Sequence, residues 1–213
     1  MNYFNNLEKP YQIAFELAWQ SFNENIFPIG AVIVDKEGNV ISSGRNLVQD
    51  NKNLSILSET NMAHAEMIAM SHLKKSQHKN IREYKLYSTM EPCPMCFGTI
   101  VMMNIMNINY ACKDEYCGAV TLKDSIPYIK QRNMKFNHTG GYEEVFQLVI
   151  QTLFECINYS KDSVVLQSLR NTNEAAISLA IHLFESEFLT NFQQNASVSY
   201  IYNEVIKKYI EFS

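Results

Sequence analysis

Residues 85–111, KLYSTMEPCPMCFGTIVMMNIMNINYA, place a helical run between two short β-prone runs. Lys85 to Ser88 reads as a strand, Pro92 and Pro94 punctuate a turn, Met95 to Met103 reads as a helix, and Ile108 to Ala111 reads as a second strand. Strand, helix and strand in that order argue for a layered α/β sandwich rather than an all-helical fold.

The flanks extend the same pattern. On the N-terminal side, residues 8–24 form an amphipathic helix with Tyr11, Ala14, Phe15, Ala18 and Phe22 on one face. Pro28 and Gly30 stop it. Ala31 to Val34 is a continuous apolar run of the buried-strand type, and Lys36-Glu37-Gly38-Asn39 turns the chain into a return strand, Val40 to Gly44. A polar loop from Val48 to Asn61 is long for an ordered connection and points to a lid. A helix is predicted from His64 to about Lys75, with Met67, Ile68 and Leu73 facing inward.

Beyond Gly140-Gly141 the character changes. Val145, Leu148, Val149, Thr152, Leu153 and Cys156 mark one helix. Ala176, Ala180, Leu183, Phe184 and Phe188 mark a second, and Tyr202, Val205, Ile206, Tyr209 and Ile210 a third. Charge changes at the same place. Up to Tyr142 there are 14 Lys/Arg against 13 Asp/Glu, and from Glu143 onward 4 against 9, so the overall net charge of −4 sits in the tail. The expected division is a body over 1–142 and a helical extension over 143–213, packed on the body or on a neighbouring subunit.

Bulk properties bound the rest. At 213 residues with 46% hydrophobic and 19% charged side chains, the chain can bury a full core. No apolar stretch approaches the roughly 20 residues that cross a bilayer, so no membrane partner is expected. Five cysteines, an odd number at uneven spacing, do not resemble a secreted disulfide framework. A cytoplasmic location is the resulting expectation.

Chemistry concentrates in His64-Ala65-Glu66 and Pro92-Cys93-Pro94-Met95-Cys96. Cys93 and Cys96 can converge on one ion at a helix entrance, where the helix dipole favours thiolate. His64 opens the preceding helix and can reach the same point. One imidazole and two thiolates make three ligands, the number a catalytic zinc takes while keeping a position for water. Glu66 lies close without needing to ligate. Taken alone, the Cys-x-x-Cys pair could equally be a structural half-site or a redox pair. Cys112 and Cys117 are expected to be small, partly buried thiols.

In that order, the two motifs match the His-x-Glu and Pro-Cys-x-x-Cys pattern of zinc nucleobase deaminases. The chain resembles the cytidine/deoxycytidylate deaminase superfamily over roughly residues 8–120. The likeness extends to Phe27-Pro28-Ile29-Gly30-Ala31-Val32-Ile33-Val34, Gly44-Arg45-Asn46 and Glu91-Pro92-Cys93-Pro94-Met95-Cys96. Within the superfamily it is similar to bacterial tRNA adenosine deaminases and to the guanine deaminases related to them. Lys113-Asp114 followed by Gly118-Ala119 is similar to a stretch of the tRNA enzymes.

That resemblance implies a three-layer α/β/α sandwich with a five-stranded mixed sheet, to which this chain adds its helical extension. It implies a zinc-dependent deaminase domain over 1–142, commonly dimeric, with His64, Cys93 and Cys96 as metal ligands and Glu66 as catalytic proton carrier. Asn46 and the backbone near Ala65 and Glu91 would hold the base. The expected substrate is a nucleobase or nucleoside, chiefly a purine such as guanine or adenine. The alternatives are a tRNA whose adenosine becomes inosine, and a deaminase-like scaffold without activity, against which an intact Glu66 speaks. The tail is acidic, whereas the tRNA enzymes tend to end in a basic helix.

Overall fold

A computed structural model describes residues 2–186 and 196–212. Five strands, β1 (Gly30–Val34), β2 (Val40–Arg45), β3 (Lys85–Met90), β4 (Asn107–Cys112) and β5 (Lys135–His138), form one sheet in the order β2-β1-β3-β4-β5. The hairpin β1–β2 and the pair β1–β3 are antiparallel, while β3–β4 and β4–β5 are parallel. The sheet is therefore the expected mixed one.

Helices α1 (Lys9–Asn23), α2 (Ala65–Ser71), α3 (Pro94–Met103), the short α4 (Pro127–Lys130), α5 (Gly141–Asn158), α6 (Val164–Glu185) and α7 (Val198–Phe212) complete it. Side chains alternate across a strand, and the two apolar clusters separate by that period. Val32, Val34 and Tyr87 face α1, α5, α6 and α7. Ala31, Ile33, Leu86 and Ile108 face α2 and Ile100 of α3. Three layers result.

Two glycines set how close the helices come. A Cβ on Gly30 would lie 2.0 Å from the Ala14 carbonyl oxygen, and one on Gly44 would lie 2.4 Å from the Ala65 carbonyl oxygen. Only glycine lets α1 and α2 settle that closely on the hairpin. Gly140 and Gly141, with φ of 67° and 63°, make the left-handed turn from β5 into α5.

The extension shares the body's core. Phe15 of α1 meets Phe146 of α5 at 5.3 Å between ring centroids, and Phe146 meets Tyr202 of α7 at 4.7 Å. Trp19 Nε1 donates to the Ala196 carbonyl at 3.0 Å. Within α6, Asn173 leaves the helical region (φ −157°, ψ 95°) and caps the second half by accepting from the Ala176 amide at 3.1 Å.

Differences from the sequence reading are local. The helix after His64 ends at Ser71 rather than near Lys75, yet Leu73 is still buried. Strand β5 was not read from the residues, because its Lys135-Phe136-Asn137-His138 is mostly exposed. Cys112 is fully buried, but Cys117 is exposed rather than partly buried. Phe188 lies outside the described residues. Among the described residues, no helix is long and apolar enough to cross a membrane.

Candidate active site

The site forms where the N-termini of α2 and α3 meet at the end of β3. His64 is the N-cap of α2 and Cys93 the N-cap of α3, each with extended backbone. Pro94 occupies the first helical position, where its fixed φ suits the turn. Cys96 follows within the first turn, and its chain position directs it back to the same point.

The three donors converge. His64 Nδ1 lies 3.5 Å from Cys93 Sγ and 3.6 Å from Cys96 Sγ. All three ligand atoms fall within 4.8 Å of one another. With Zn–S near 2.3 Å and Zn–N near 2.0 Å, a tetrahedral edge between N and S is about 3.5 Å, so the residues present fit zinc.

Electrostatics favours a cation in the same place. Two adjacent thiolates repel, so the pair splits. Cys93 falls to about 4 through the bond to Cys96, with burial opposing and His64 assisting. Cys96 is pushed far up by the Cys93 sulfur, by burial and by Glu66. The bond to Cys93 raises His64. A divalent ion shared by both sulfurs removes this conflict, because coordinated thiols are deprotonated.

Glu66 sits in the first turn of α2 and is buried. Ser88 Oγ donates to its Oε1 at 3.0 Å, and Cys96 Sγ approaches its Oε2 at 3.4 Å. Burial raises its pKa, the chief cause of the shift.

His64, Glu66 and Cys93 line a cavity of about 530 Å³. Asn46 lines it too, with Oδ1 accepting from the Val48 amide at 3.0 Å. Glu91 is also on the wall, and its carboxylate accepts from the amides of Asp114 (3.2 Å) and Val120 (3.0 Å). It thereby clamps the loop after β4, which a Cβ on Gly118 would push away at 2.5 Å from Glu91 Cδ. Ala65 is fully buried in α2 and does not line the cavity.

The structure brings further residues here. The clamped loop supplies Asp114, Tyr116 and Cys117. Gln151 and Glu155 of α5, Ser163 and two apolar residues of α6, Val165 and Leu169, close the other side. Glu144, Gln147, Gln151 and Glu155 recur at spacings of three and four in a helix buried from Glu144 to Glu155. That polar stripe in a buried helix was the available signal.

With this geometry in view, the comparisons are consistent. A family model, the cytidine and deoxycytidylate deaminase zinc-binding region, matches residues 5–112. A tRNA-specific adenosine deaminase 2 from Xenopus tropicalis is 31% identical over 142 residues, 61% of this chain and 77% of the relative. A tRNA-specific adenosine deaminase from Haemophilus influenzae is 36% identical over 118 residues, 53% of this chain and 62% of the relative. A solved structure from studies of A-to-I editing by tRNA:A34 deaminases at the wobble position of transfer RNA is 25% identical with a TM-score of 0.50. That match covers 62% of this chain and 96% of the other. The chain belongs to the cytidine and deoxycytidylate deaminase family and is a zinc-dependent deaminase of nucleobases or nucleosides.

Proposed function

We propose that the chain deaminates adenosine to inosine in a transfer RNA, with His64, Cys93 and Cys96 holding zinc and Glu66 carrying the proton. The observation that carries the chemistry is the buried Glu66 carboxylate beside the His64–Cys93–Cys96 group at the edge of one cavity. The substrate is supported by the relatives above, which are named for adenosine in tRNA. An intact Glu66 argues against a scaffold.

When bound, zinc lowers the pKa of a water from 15.7 to about 7 and so supplies a nucleophile at neutral pH. Ser88 holds Glu66 Oε1, leaving Oε2, on the Cys96 side, to take the proton from the attacking water. Glu66 passes that proton to the ring nitrogen, then takes the second proton from the added hydroxyl and delivers it to the amino group, which leaves as ammonia. Asn46 and the backbone near Glu91, both on the cavity wall, hold the base. Burial around Glu66 favours the protonated carboxyl that this relay passes through.

A free purine base or nucleoside is the second reading. It is favoured by the acidic extension, whose helices α5 and α6 supply one wall of the cavity, since polyanions avoid negative surfaces. We further propose a homodimer using the exposed Met102, Leu122, Ile126 and Tyr128 on and beside α3, and a cytoplasmic location.

Ammonia release from tRNA carrying a wobble adenosine, from adenosine, from guanine and from cytosine tests the choice. Turnover of the tRNA above the free compounds is expected. Turnover of guanine or free nucleosides with an inert tRNA would select the second reading.

A further inference from the structure

The cavity is lined by elements from both faces of the sheet. The ligand-bearing helices α2 and α3 come from one face, and α5 and α6 from the other. A substrate whose reacting amino group points at His64, Cys93 and Cys96 can therefore present its remaining atoms to the extension. That region lies outside residues 5–112, so the family match says nothing of it.

What it offers is a set of hydrogen-bond acceptors. Gln151 and Glu155 are 5% and 4% exposed, so both count as buried while lining the cavity. Gln151 Nε2 donates to Glu155 Oε1 at 3.3 Å, and Ser163 Oγ donates to Glu155 Oε2 at 3.2 Å. The Ser163 oxygen accepts from the Leu166 amide at 3.2 Å as the N-cap of α6, which fixes the group. Gln151 Oε1 is buried with no partner among the described residues. An orphaned buried acceptor costs roughly 1–3 kcal/mol, a cost that a donor from a ligand removes. The carboxylate has about four acceptor sites and uses two of them here.

We propose that Gln151 and Glu155 form a second recognition patch in this cavity, taking hydrogen-bond donors on the part of the substrate away from its reacting amino group. This rests on the deaminase reading of the site above. The ring of an adenosine, once its amino group faces the metal ligands, has no N–H donor left. Its donors to this patch are the ribose hydroxyls, which a carboxylate takes well. A free guanine supplies the same chemistry through ring N–H groups.

The experiment uses holoenzyme with Glu155→Gln, which keeps shape and removes the charge, and Gln151→Met, which removes the orphaned acceptor at similar size. Calorimetric titration with adenosine, 2′-deoxyadenosine and guanine is run beside steady-state kinetics on the same compounds. For a ribose-directed patch, each variant weakens adenosine binding and raises its KM, about tenfold for Glu155→Gln, the worth of one hydrogen bond to a charged group, and less for the neutral Gln151→Met. Binding of 2′-deoxyadenosine changes less, and kcat stays within about twofold because the patch does not touch the reacting carbon. For a patch directed at ring N–H groups, the loss appears with guanine and neither adenosine changes. Unchanged binding of all three compounds, an equal loss for all three, or no binding by the unaltered enzyme overturns the patch. Turnover by the unaltered enzyme with unchanged binding in the variants would leave the deaminase reading standing without the patch. Ligand binding that depends on Gln151 and Glu155, with no ammonia from any substrate, would do the reverse.

Discussion

Ser88 Oγ donates to Glu66 Oε1 across 3.0 Å, tying the carboxylate on α2 to the central strand β3. Both residues are buried, and Ser88 pairs in register with Ala31 of β1. The carboxylate proposed to carry the proton is thus tied to the central strand of the sheet, which suits a group that must meet both water and base.

Ser88→Ala should therefore slow turnover without emptying the metal site. Loss of one hydrogen bond that orients a charged group costs about 1–2 kcal/mol, or roughly tenfold in kcat. The check is kcat beside zinc content by mass spectrometry. Loss of zinc would show that Ser88 supports the ligands rather than the carboxylate.

Gly44→Ala tests the seat of α2. The added carbon would lie 2.4 Å from the Ala65 carbonyl oxygen and 2.6 Å from the Ala69 amide nitrogen, both backbone atoms that cannot rotate away. Overpacking of this kind costs about 1–3 kcal/mol. Because α2 carries His64 at its cap and Glu66 in its first turn, zinc affinity should fall along with the denaturation midpoint. Gly38→Ala, where a Cβ meets nothing within 4 Å, separates close approach from a positive φ (+89°): it should cost stability without touching zinc affinity.

The loop from Val48 to Asn61 is held from inside by Asp50. Its carboxylate accepts from the Lys52 and Leu54 amides, both at 3.0 Å, and from Ser58 Oγ at 2.7 Å. Burial pulls its pKa up, but Ser58 and the two amides outweigh burial and leave it lowered. A depressed folded pKa means stabilisation that is fully present above the unfolded value, near 3.8, and is lost as pH falls through the lower folded one. Hydrogen exchange should show the loop's protection intact at neutral pH and declining only below about pH 4. Asp50→Asn should loosen the loop already at pH 7. Equal protection of the two proteins at pH 7 would show that the carboxylate does not hold the loop.

Much of this architecture was legible because it is local. Ala31-Val32-Ile33-Val34 is apolar throughout, as a strand covered on both faces must be, and β1 is buried at every position. His64, Glu66, Cys93 and Cys96 were legible because each sits at a helix start marked by its own neighbours, Pro94 among them. Strand β5 was not legible: with only Phe136 half-buried, Lys135–His138 carries almost no pattern. Nor was the far wall of the cavity. Gln151 and Glu155 reach the site only because α5 docks across β3 and β4, a tertiary event that helical periodicity does not encode. The polar stripe was visible, but what it faces was not.

If Glu66 moves protons beside a metal it does not hold, its removal stops turnover and spares the zinc. Glu66→Ala, assayed for ammonia release on the substrate found by the panel and for zinc on the same preparation, tests it most directly. We expect close to one zinc per chain, as in the unaltered enzyme, with turnover reduced at least about a hundredfold. Substantial residual turnover, or loss of the zinc along with the carboxylate, would contradict it.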